Sequence, residues 1–498
     1  VILRLSLLLA LAGCLPHART EQPTPDYPLP ERFSEPATPE GSRSNATVDG
    51  RWWLHYDDPT LHSLVERSLT ANVSVRARYA AIEQAQAIAL SAAAQRYPTI
   101  SATGSVGYNR SVGFFGTNNS YQAQAQLPIQ WEIDLFARWR GQAEAANVEV
   151  EASRLDAEAL ALATSAQVAD AWYGIVEAQA RRALLAEQHR INETYLELVR
   201  LRFEQGLSSA VDVHQQRQQV ALSRSRLELL DGEVELLRQQ LSVLLGLPPA
   251  ELGGLPETST LPDLGPAPAP GVPASVVWGR PDVRAAQARV RAADWRIGSA
   301  IAARLPSIRL NVTPGYSWQR NEIQGSALGM GRPSSVDGFT FNAGATLNVP
   351  LFDGFVGRAQ VAQQEATLQI QVEQLSQAVL TALVEVEGAI VREAQQRRNV
   401  VLLEERAQIA NDTLESARDR YRAGLSDFLP VLTALQAEQA AQLDLLTARR
   451  QLVAQRIALH RALGGTWPSE LETPPPTPIR EGDVREGEAE AVDEAEER

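Results

Sequence analysis

Four stretches of the chain alternate strictly between apolar and uncharged polar residues. In the first, Ile100, Ala102, Gly104, Val106 and Tyr108 alternate with Ser101, Thr103, Ser105, Gly107 and Asn109. The second sets Tyr121, Ala123, Ala125, Leu127, Ile129, Trp131 and Ile133 against Gln122, Gln124, Gln126, Pro128, Gln130, Glu132 and Asp134. The third sets Ile308, Leu310, Val312, Pro314, Tyr316 and Trp318 against Arg309, Asn311, Thr313, Gly315, Ser317 and Gln319. In the fourth, Phe339, Phe341, Ala343, Ala345, Leu347 and Val349 alternate with Thr340, Asn342, Gly344, Thr346 and Asn348. A period of two predicts β-strands with one apolar and one polar face. Each stretch is about 10 residues or longer, enough for a tilted strand to cross a bilayer.

Alternation alone also fits a half-buried antiparallel sheet in a soluble domain. Three features favour a membrane barrel. The polar face is rich in Gln, Asn, Ser and Thr, as a wet lumen would be. Tyr108, Tyr121, Trp318, Phe339 and Phe341 cluster near the turn ends, where an aromatic girdle sits. Nothing else in the chain has the pattern of a core for a soluble sandwich. A lipid-facing sheet must close, because open edges leave backbone groups unsatisfied in hydrocarbon. Four strands cannot close around a lumen, so several chains must share one barrel.

Between the strand pairs the periodicity changes. No proline occurs between Ile129 and Leu247 or between Leu351 and Leu429. The first window predicts helices over 137–205 and 209–245, the former on the order of 100 Å long at about 1.5 Å per residue. Val213, Val220, Leu227, Val234 and Leu241 recur every seven residues, the seam of a coiled coil. The second window predicts helices over 358–423 and 427–463, with a weaker seam of Val431, Glu438, Leu445, Leu452 and Leu459. Shorter helices are expected over 73–96 and 282–304, one before each strand pair. Pro430 suits the first turn of the last helix.

The whole plan is written twice. Val75-Arg76-Ala77 recurs as Val283-Arg284-Ala285, Leu135-Phe136 as Leu351-Phe352, and Gly206-Leu207-Ser208 as Gly424-Leu425-Ser426. The offset jumps by eight where a turn is expected, between 110–120 in one copy and 321–338 in the other, so a structural unit has been duplicated.

Composition narrows the chemistry. The chain of 498 residues is 44% hydrophobic, yet no run reaches the roughly 18 apolar residues of a transmembrane helix. Its one cysteine, Cys14, follows Arg4, the apolar run Leu5 to Leu11 and the small pair Ala12-Gly13. Leu11-Ala12-Gly13-Cys14 has the form of a bacterial lipoprotein cleavage box after a short signal peptide, with acyl chains expected on Cys14. Of the formal net charge of -14, half sits in the acidic tail from Glu472 to Arg498, which contains Pro474-Pro475-Pro476 and reads as solvated and disordered. No basic patch points to nucleic acid. The six histidines never pair as metal ligands, one cysteine cannot build a zinc site, and without lysine there is no phosphate-binding P-loop or Schiff-base chemistry. No cofactor and no enzymatic constellation is expected.

Local matches give the plan a family. Arg51-Trp52-Trp53 with Asp58-Pro59, Trp131-Glu132-Ile133-Asp134-Leu135-Phe136, Arg280-Pro281-Asp282-Val283, Val349-Pro350-Leu351-Phe352-Asp353-Gly354, Arg420-Tyr421-Arg422-Ala423-Gly424 and Leu463-Gly464-Gly465-Thr466-Trp467 resemble the TolC-type outer-membrane efflux channels, in the lipid-anchored OprM/NodT-like branch. The resemblance implies an α+β membrane protein: a homotrimer in which each chain gives four transmembrane β-strands to a 12-stranded β-barrel, continuous with a periplasmic α-barrel of 12 helical struts built from antiparallel coiled coils. It implies passive export from an inner-membrane RND-type pump through a periplasmic adaptor, with the barrel in outer-membrane lipid. The corresponding segments are a signal peptide over 1–13, a lipid-anchored tether over 14–72, repeats over 73–249 and 280–464 joined by a waist linker over 250–279, and a C-terminal segment over 465–498. The family closes its tip near the two Gly-Leu-Ser turns, and Asp212 and Tyr421 match such gate positions, with a hydrogen bond between them as the expected contact. Pro430 and Thr433 stand where many relatives carry aspartates, so a charged ring from the second repeat is not expected. A type I secretion or metal-efflux conduit, or a lipid-anchored coiled-coil stalk of a structural or adhesive protein, are the competing readings. The wet polar strand face argues against the stalk.

Overall fold

The computed structural model describes residues 30, 32–33, 51–113, 116–268, 273–324 and 334–464. Cys14 and the acidic tail lie outside them. In chain order the helices are α1 (Pro59–Ala71), α2 (Val73–Ala94), α3 (Arg138–Glu204), α4 (Ala210–Leu244), α5 (Pro273–Gly279), α6 (Pro281–Ala302), α7 (Val356–Arg422) and α8 (Leu429–Leu463). The strands are β1 (Thr99–Ile100), β2 (Thr103–Gly113), β3 (Gly116–Gln126), β4 (Ile129–Ile133), β5 (Ser307–Gln324) and β6 (Ser334–Asn348). The chain divides into two units: Ala81–Ser153 with Ala285–Ser376, and Tyr27–Ala80 with Arg154–Arg284 and Gln377–Arg498.

The first unit holds the sheet. β2 pairs antiparallel with β3, β3 and β4 both pair with β5, and β5 pairs with β6. Two predicted strands are each split in two. Pro128 has no N–H to give the ladder, and the backbone bridges the gap with Ser101 N–H to Pro128 O at 3.1 Å and Leu127 N–H to Pro314 O at 2.9 Å. The result is a four-strand meander whose outer members, β1/β2 and β6, leave two edges without a neighbouring strand among the described residues.

The register puts apolar residues opposite apolar ones. Tyr108 faces Tyr121, Ala125 faces Tyr316, Tyr316 faces Phe339 and Ile308 faces Leu347. Between these rows run polar pairs, Ser105 with Gln124, Gln122 with Gln319 and Thr313 with Asn342. No core covers the apolar face: Val106 is 87% exposed and Phe339 73%. Large apolar side chains left bare as a contiguous band mark a surface made for something other than water. The ten residue steps from Ile308 to Trp318 run about 33 Å along the strand. A tilt of about 40° reduces that to about 25 Å, the height of the lipid-facing band in outer-membrane barrels. The band stops where charge begins on the same face, at the Arg320–Glu322 ion pair of 2.6 Å and at Asp337, which accepts a hydrogen bond from the Tyr316 hydroxyl.

The helices of the first unit are tied closely to one another. Gly141 lets α3 approach α6, since a Cβ there would lie 3.3 Å from Ser299 Cβ, and Ser299 Oγ donates to Arg138 O at 2.9 Å. Arg291–Glu151 (2.7 Å) and Arg296–Glu149 (2.8 Å) continue the contact outward. Each strand-to-helix junction contains a non-glycine residue in the left-handed region, Ala137 (φ 59°) in the first repeat and Phe355 (φ 72°) in the second. An aspartate caps the helix that follows: Asp134 accepts from Trp139 and Arg140 N–H, and Asp353 from Phe355 and Gly357 N–H.

The second unit holds the compact core. Trp52 and Trp53 are fully buried with Leu61, Val65, Trp172, Tyr173, Leu241 and Leu245. Asp58 explains its own motif: one carboxylate oxygen caps α1 by accepting from Thr60 and Leu61 N–H, and the other accepts from Trp172 Nε1 at 2.7 Å. His460 stacks on Trp52 at 5.5 Å and on His55 at 5.8 Å. Burial, with Arg456 and His55 adding to it, pushes this imidazole down to about 3, so it packs as a neutral ring. Gly246, at φ +67°, ends the first helical hairpin where a Cβ would meet Ala71 O at 2.2 Å. Two buried arginines then fasten the segments around the helices. Arg280 reaches Asp282, Glu385 and Ala462 O, and Arg456 reaches Glu393 and the carbonyls of Gly265 and Pro266.

The hairpin seams form as the sevenfold spacing predicts, with one chemical difference. Val431, Leu452 and Leu459 are buried, but so is Glu438, amid Gln188, Asn192, Gln216, Gln219 and Gln439. Gln188 donates to Gln439 O (3.2 Å) and Gln442 Oε1 (3.1 Å), Gln216 to Asn192 O (2.8 Å), and Gln436 to Gln219 Oε1 (3.1 Å). Burial raises the Glu438 carboxyl above its ordinary range against the Gln442 hydrogen bond and the charge of Arg418. α7 holds an 18-residue stretch apolar enough by length and composition to span a bilayer. Its apolar positions are instead divided between a buried and an exposed seam of a helical hairpin.

The face assignment is checked by charge. Arg at Val312, on the apolar face, should cost about 2–4 kcal/mol and impair membrane assembly, whereas Arg at the neighbouring Thr313 should be tolerated. Heat-modifiable gel mobility of membrane fractions reads assembly, and equal damage at both positions would refute the two faces.

Candidate transport channel

The polar face of the sheet has the chemistry to line a path for solutes. Gln, Asn, Ser and Thr can exchange hydrogen bonds with water and solutes without holding a fixed charge in the way. Charge appears at one end only: Glu132 lies opposite Arg309 in the register and pairs with it at 3.0 Å. Glu132 also accepts from Trp139 Nε1 at 3.2 Å, and Arg138 stands 3.5 Å away. Strand and following helix are therefore joined by one polar cluster. The sequence showed these residues as part of an alternating strand, with no sign that they would meet.

The two hairpin turns of the second unit are built alike. Gly206 (φ +73°) and Gly424 (φ +72°) each end a 67-residue helix in the left-handed conformation. The next residue closes the turn, Leu207 N–H to Arg202 O at 2.8 Å and Leu425 N–H to Arg420 O at 2.9 Å. This satisfies the last carbonyls of the helix, as glycine-terminated helices do. Leu207 (62%) and Leu425 (72%) are left pointing into solvent.

Asp212 starts α4 in a reciprocal cap. Its N–H donates to Ser209 Oγ at 3.2 Å, and its carboxylate accepts from Ser209 N–H at 2.9 Å and Ser208 Oγ at 2.8 Å. Partial burial works against the charge, but these hydrogen bonds outweigh it and hold the carboxyl below its ordinary value. Tyr421 is buried between Phe428 (ring centroids 5.7 Å) and Arg202, whose guanidinium lies 4.2 Å from the ring centroid. Burial raises its phenol, Arg202 opposes this and the nearby Asp212 charge adds to it. The hydroxyl has no hydrogen-bond partner, so the expected Asp212–Tyr421 hydrogen bond is not formed within the chain. The physical reason is competition. Two serines and a backbone N–H occupy the Asp212 carboxylate, while Arg202 and Phe428 fix the Tyr421 ring. A cavity of about 270 Å³, lined by Tyr195, Arg418, Tyr421, Arg422 and Val431 among others, opens beside it. Pro430 lies in the first turn of α8, and Thr433 Oγ1 donates to Leu429 O, so neither adds charge to the tip.

Among the described residues no group of His, Cys, Asp and Glu could hold a metal ion. What the structure offers is an uncovered apolar sheet face, a polar face behind it that carries charge at one end only, and paired helical hairpins ending in matched turns. Those features define an outer-membrane channel. The chain belongs to the outer membrane efflux protein family, whose sequence profile matches residues 64–247 and 274–465. It is 28% identical over 448 residues to the pyoverdine export outer membrane protein OpmQ of Pseudomonas putida, covering 88% of this chain and 92% of that protein. With the outer membrane protein OprJ of Pseudomonas aeruginosa the identity is again 28%, over 93% of this chain and 95% of the relative. The solved Campylobacter jejuni CmeC outer membrane channel shares the fold at a TM-score of 0.80 and 17% identity, covering 91% of this chain and 96% of that one. This chain is an efflux channel of the outer membrane.

The cap at Asp212 has a measurable signature. Asp212→Ala should cost about 1 kcal/mol at the start of α4, which speeds local amide exchange there about five-fold. A carboxyl held below its ordinary value stabilises the fold above that value. The protection should therefore fade as pH drops below about 4 in the parent and not in the variant. Hydrogen exchange of the first turn of α4 across that range checks both.

Proposed function

We propose that three copies of this chain close a 12-stranded barrel and a 12-helix periplasmic barrel into one passive conduit. It receives small molecules from an inner-membrane pump of the RND type through a periplasmic adaptor. The observation that carries this reading is the sheet: an apolar face that only lipid can cover and two edges that only further strands can satisfy. Four strands per chain make twelve in three, and on this reading the inner-membrane pump supplies the driving force. The name of one similar protein, a pyoverdine export outer membrane protein, accords with an export role. Cys14 carries the lipid that tethers the N-terminus, while the barrel is an independent membrane anchor.

The two hairpin turns form the resting gate, with Asp212 and Tyr421 as its side chains. Each holds its own turn rather than bonding to the other: Asp212 through the serine cap, Tyr421 through Arg202 and Phe428. Loosening either turn widens the opening.

Purified protein in planar bilayers should give discrete conductance steps. Asp212→Ala and Tyr421→Ala should each raise the conductance of single channels with trimer yield unchanged. No conductance at all from intact trimers would end the conduit reading, while parent-like conductance in both variants would remove the gate role alone. Cys14→Ala should abolish incorporation of labelled fatty acid, and persistent labelling would rule out this lipidation site.

A further inference from the structure

The polar face of the sheet carries charge in one row only. Apart from Ile323 and Val336 at its far end, the described strand residues on this face are Gly, Ser, Thr, Asn and Gln, with a single exception. The exception is the row in which Glu132 stands opposite Arg309, at the end where the strands pass into the helices. The other charged residues of the strands, Arg110, Arg320, Glu322 and Asp337, fall in rows of the apolar face at the opposite end. An exposed cross-strand ion pair adds little to the stability of a sheet. A lone acid and base in an otherwise uncharged lining therefore call for a role other than holding two strands together.

The two charges are not equally placed. The Glu132 side chain is 13% exposed and that of Arg309 59%. The carboxylate is held on three sides, by Arg309 at 3.0 Å, by Arg138 at 3.5 Å and by Trp139 Nε1, which donates to it at 3.2 Å. Two guanidiniums against one carboxylate leave the cluster with net positive charge, and Arg309, the more open of the two, presents it to solvent. Among the described residues Arg309 donates to Glu132 alone, through one nitrogen. A guanidinium carries five donors in a planar fork, so Arg309 can hold Glu132 and still offer hydrogen bonds to a second carboxylate, phosphate or sulfonate. Arg138 extends the cluster toward the helices. It also lines a cavity of about 890 Å³ together with Gln84, Gln142, Gln363, Arg296 and Glu149. Arg296 is paired with Glu149 at 2.8 Å, so those two cancel. Because Arg138 reaches both Glu132 and this cavity, the cavity opens on the polar side of the sheet. A solute following that side meets amides and hydroxyls, then one positive step, then amides again.

We propose that Glu132, Arg309 and Arg138 form a charge-selective step in the path that favours anions, with Arg309 meeting the solute and Glu132 fixing Arg309 in place. The inference rests on the conduit proposed above and assigns its preference among solutes. Arg309→Cys removes the exposed charge, and thiol reagents then restore or reverse it in channels already assembled in planar bilayers. Reversal potentials in a gradient of potassium chloride give the chloride-to-potassium permeability ratio. Arg309→Cys should lower this ratio about two-fold. Coupling a trimethylammonium-ethyl methanethiosulfonate should bring it back toward the parent value, and the sulfonatoethyl reagent should lower it further. Both changes are read against parent channels treated alike, which carry Cys14 alone. Glu132→Gln should raise the ratio, since Arg309 and Arg138 lose their counter-charge, and it decides the matter by itself if Arg309→Cys does not assemble. A pair that serves only to join strands would leave the ratio untouched. All these shifts should shrink as salt rises past about 0.1 M, where charges are screened beyond about 10 Å. Conducting channels whose ratio stays at the parent value in the variants and after both reagents would overturn the selective step and leave the conduit standing. Parent protein that gives no conductance steps would overturn the conduit and the selective step with it.

Discussion

A backbone in hydrocarbon must satisfy every N–H and C=O by itself, and this constraint organises the whole molecule. The meander of β1 to β6 obeys it internally, down to the local repair at Pro128, but stops short at two edges. In water an open edge is a liability to be blunted; in lipid each unsatisfied group costs several kcal/mol. The sheet is therefore complete only as part of a larger one. The face polarity follows from the same demand. In the proposed barrel, lipid covers the Val106–Phe339 side and the Gln- and Asn-rich side is left to water.

The helices solve a different problem. Coiled-coil seams are easily shifted by one heptad, since apolar side chains tolerate many registers. The amide layer of Gln188, Asn192, Gln216, Gln219 and Gln439 removes that freedom, because a slipped register would leave buried amides unpaired. Glu438 in the same layer stays uncharged more easily than a surface glutamate, so it can share the site with amides. The core around Trp52 and Trp172 then holds the hairpins with apolar burial, Arg456 fastens an irregular segment by the carbonyls of Gly265 and Pro266, and Arg280 holds the end of α8 by Ala462 O. Irregular backbone has few partners of its own, and a guanidinium with five donors is suited to supplying them.

Duplication shows which details each repeat had to keep. Both turns keep a left-handed glycine, and both strand-to-helix junctions keep a left-handed non-glycine residue followed by an aspartate-capped helix. The capping of the return helices differs. α4 has Ser209 and Asp212, whereas α8 starts at Phe428-Leu429 with Pro430 and no side-chain cap. Similarity of plan thus coexists with different chemistry at the tip.

The sequence by itself determined the strands, their faces, the long helices and the repeat, because periods of two and of seven are local properties that any window of the chain displays. Strand boundaries were legible to within a few residues, except where Pro128 split a strand whose alternation continued through it. The candidate site was legible only in part. Asp212 and Tyr421 were singled out, yet whether a carboxylate binds a phenol or two neighbouring serines depends on distances that spacing does not encode. The tertiary structure alone decided that Ser208 and Ser209 occupy Asp212, that Arg202 covers Tyr421, and that Glu132 meets Arg309. It likewise revealed Glu393 and Glu438 as buried and four leucine-and-valine positions of α4 as bare. Such contacts join residues far apart in the chain, and only packing fixes which of several chemically suitable partners is near enough to be chosen.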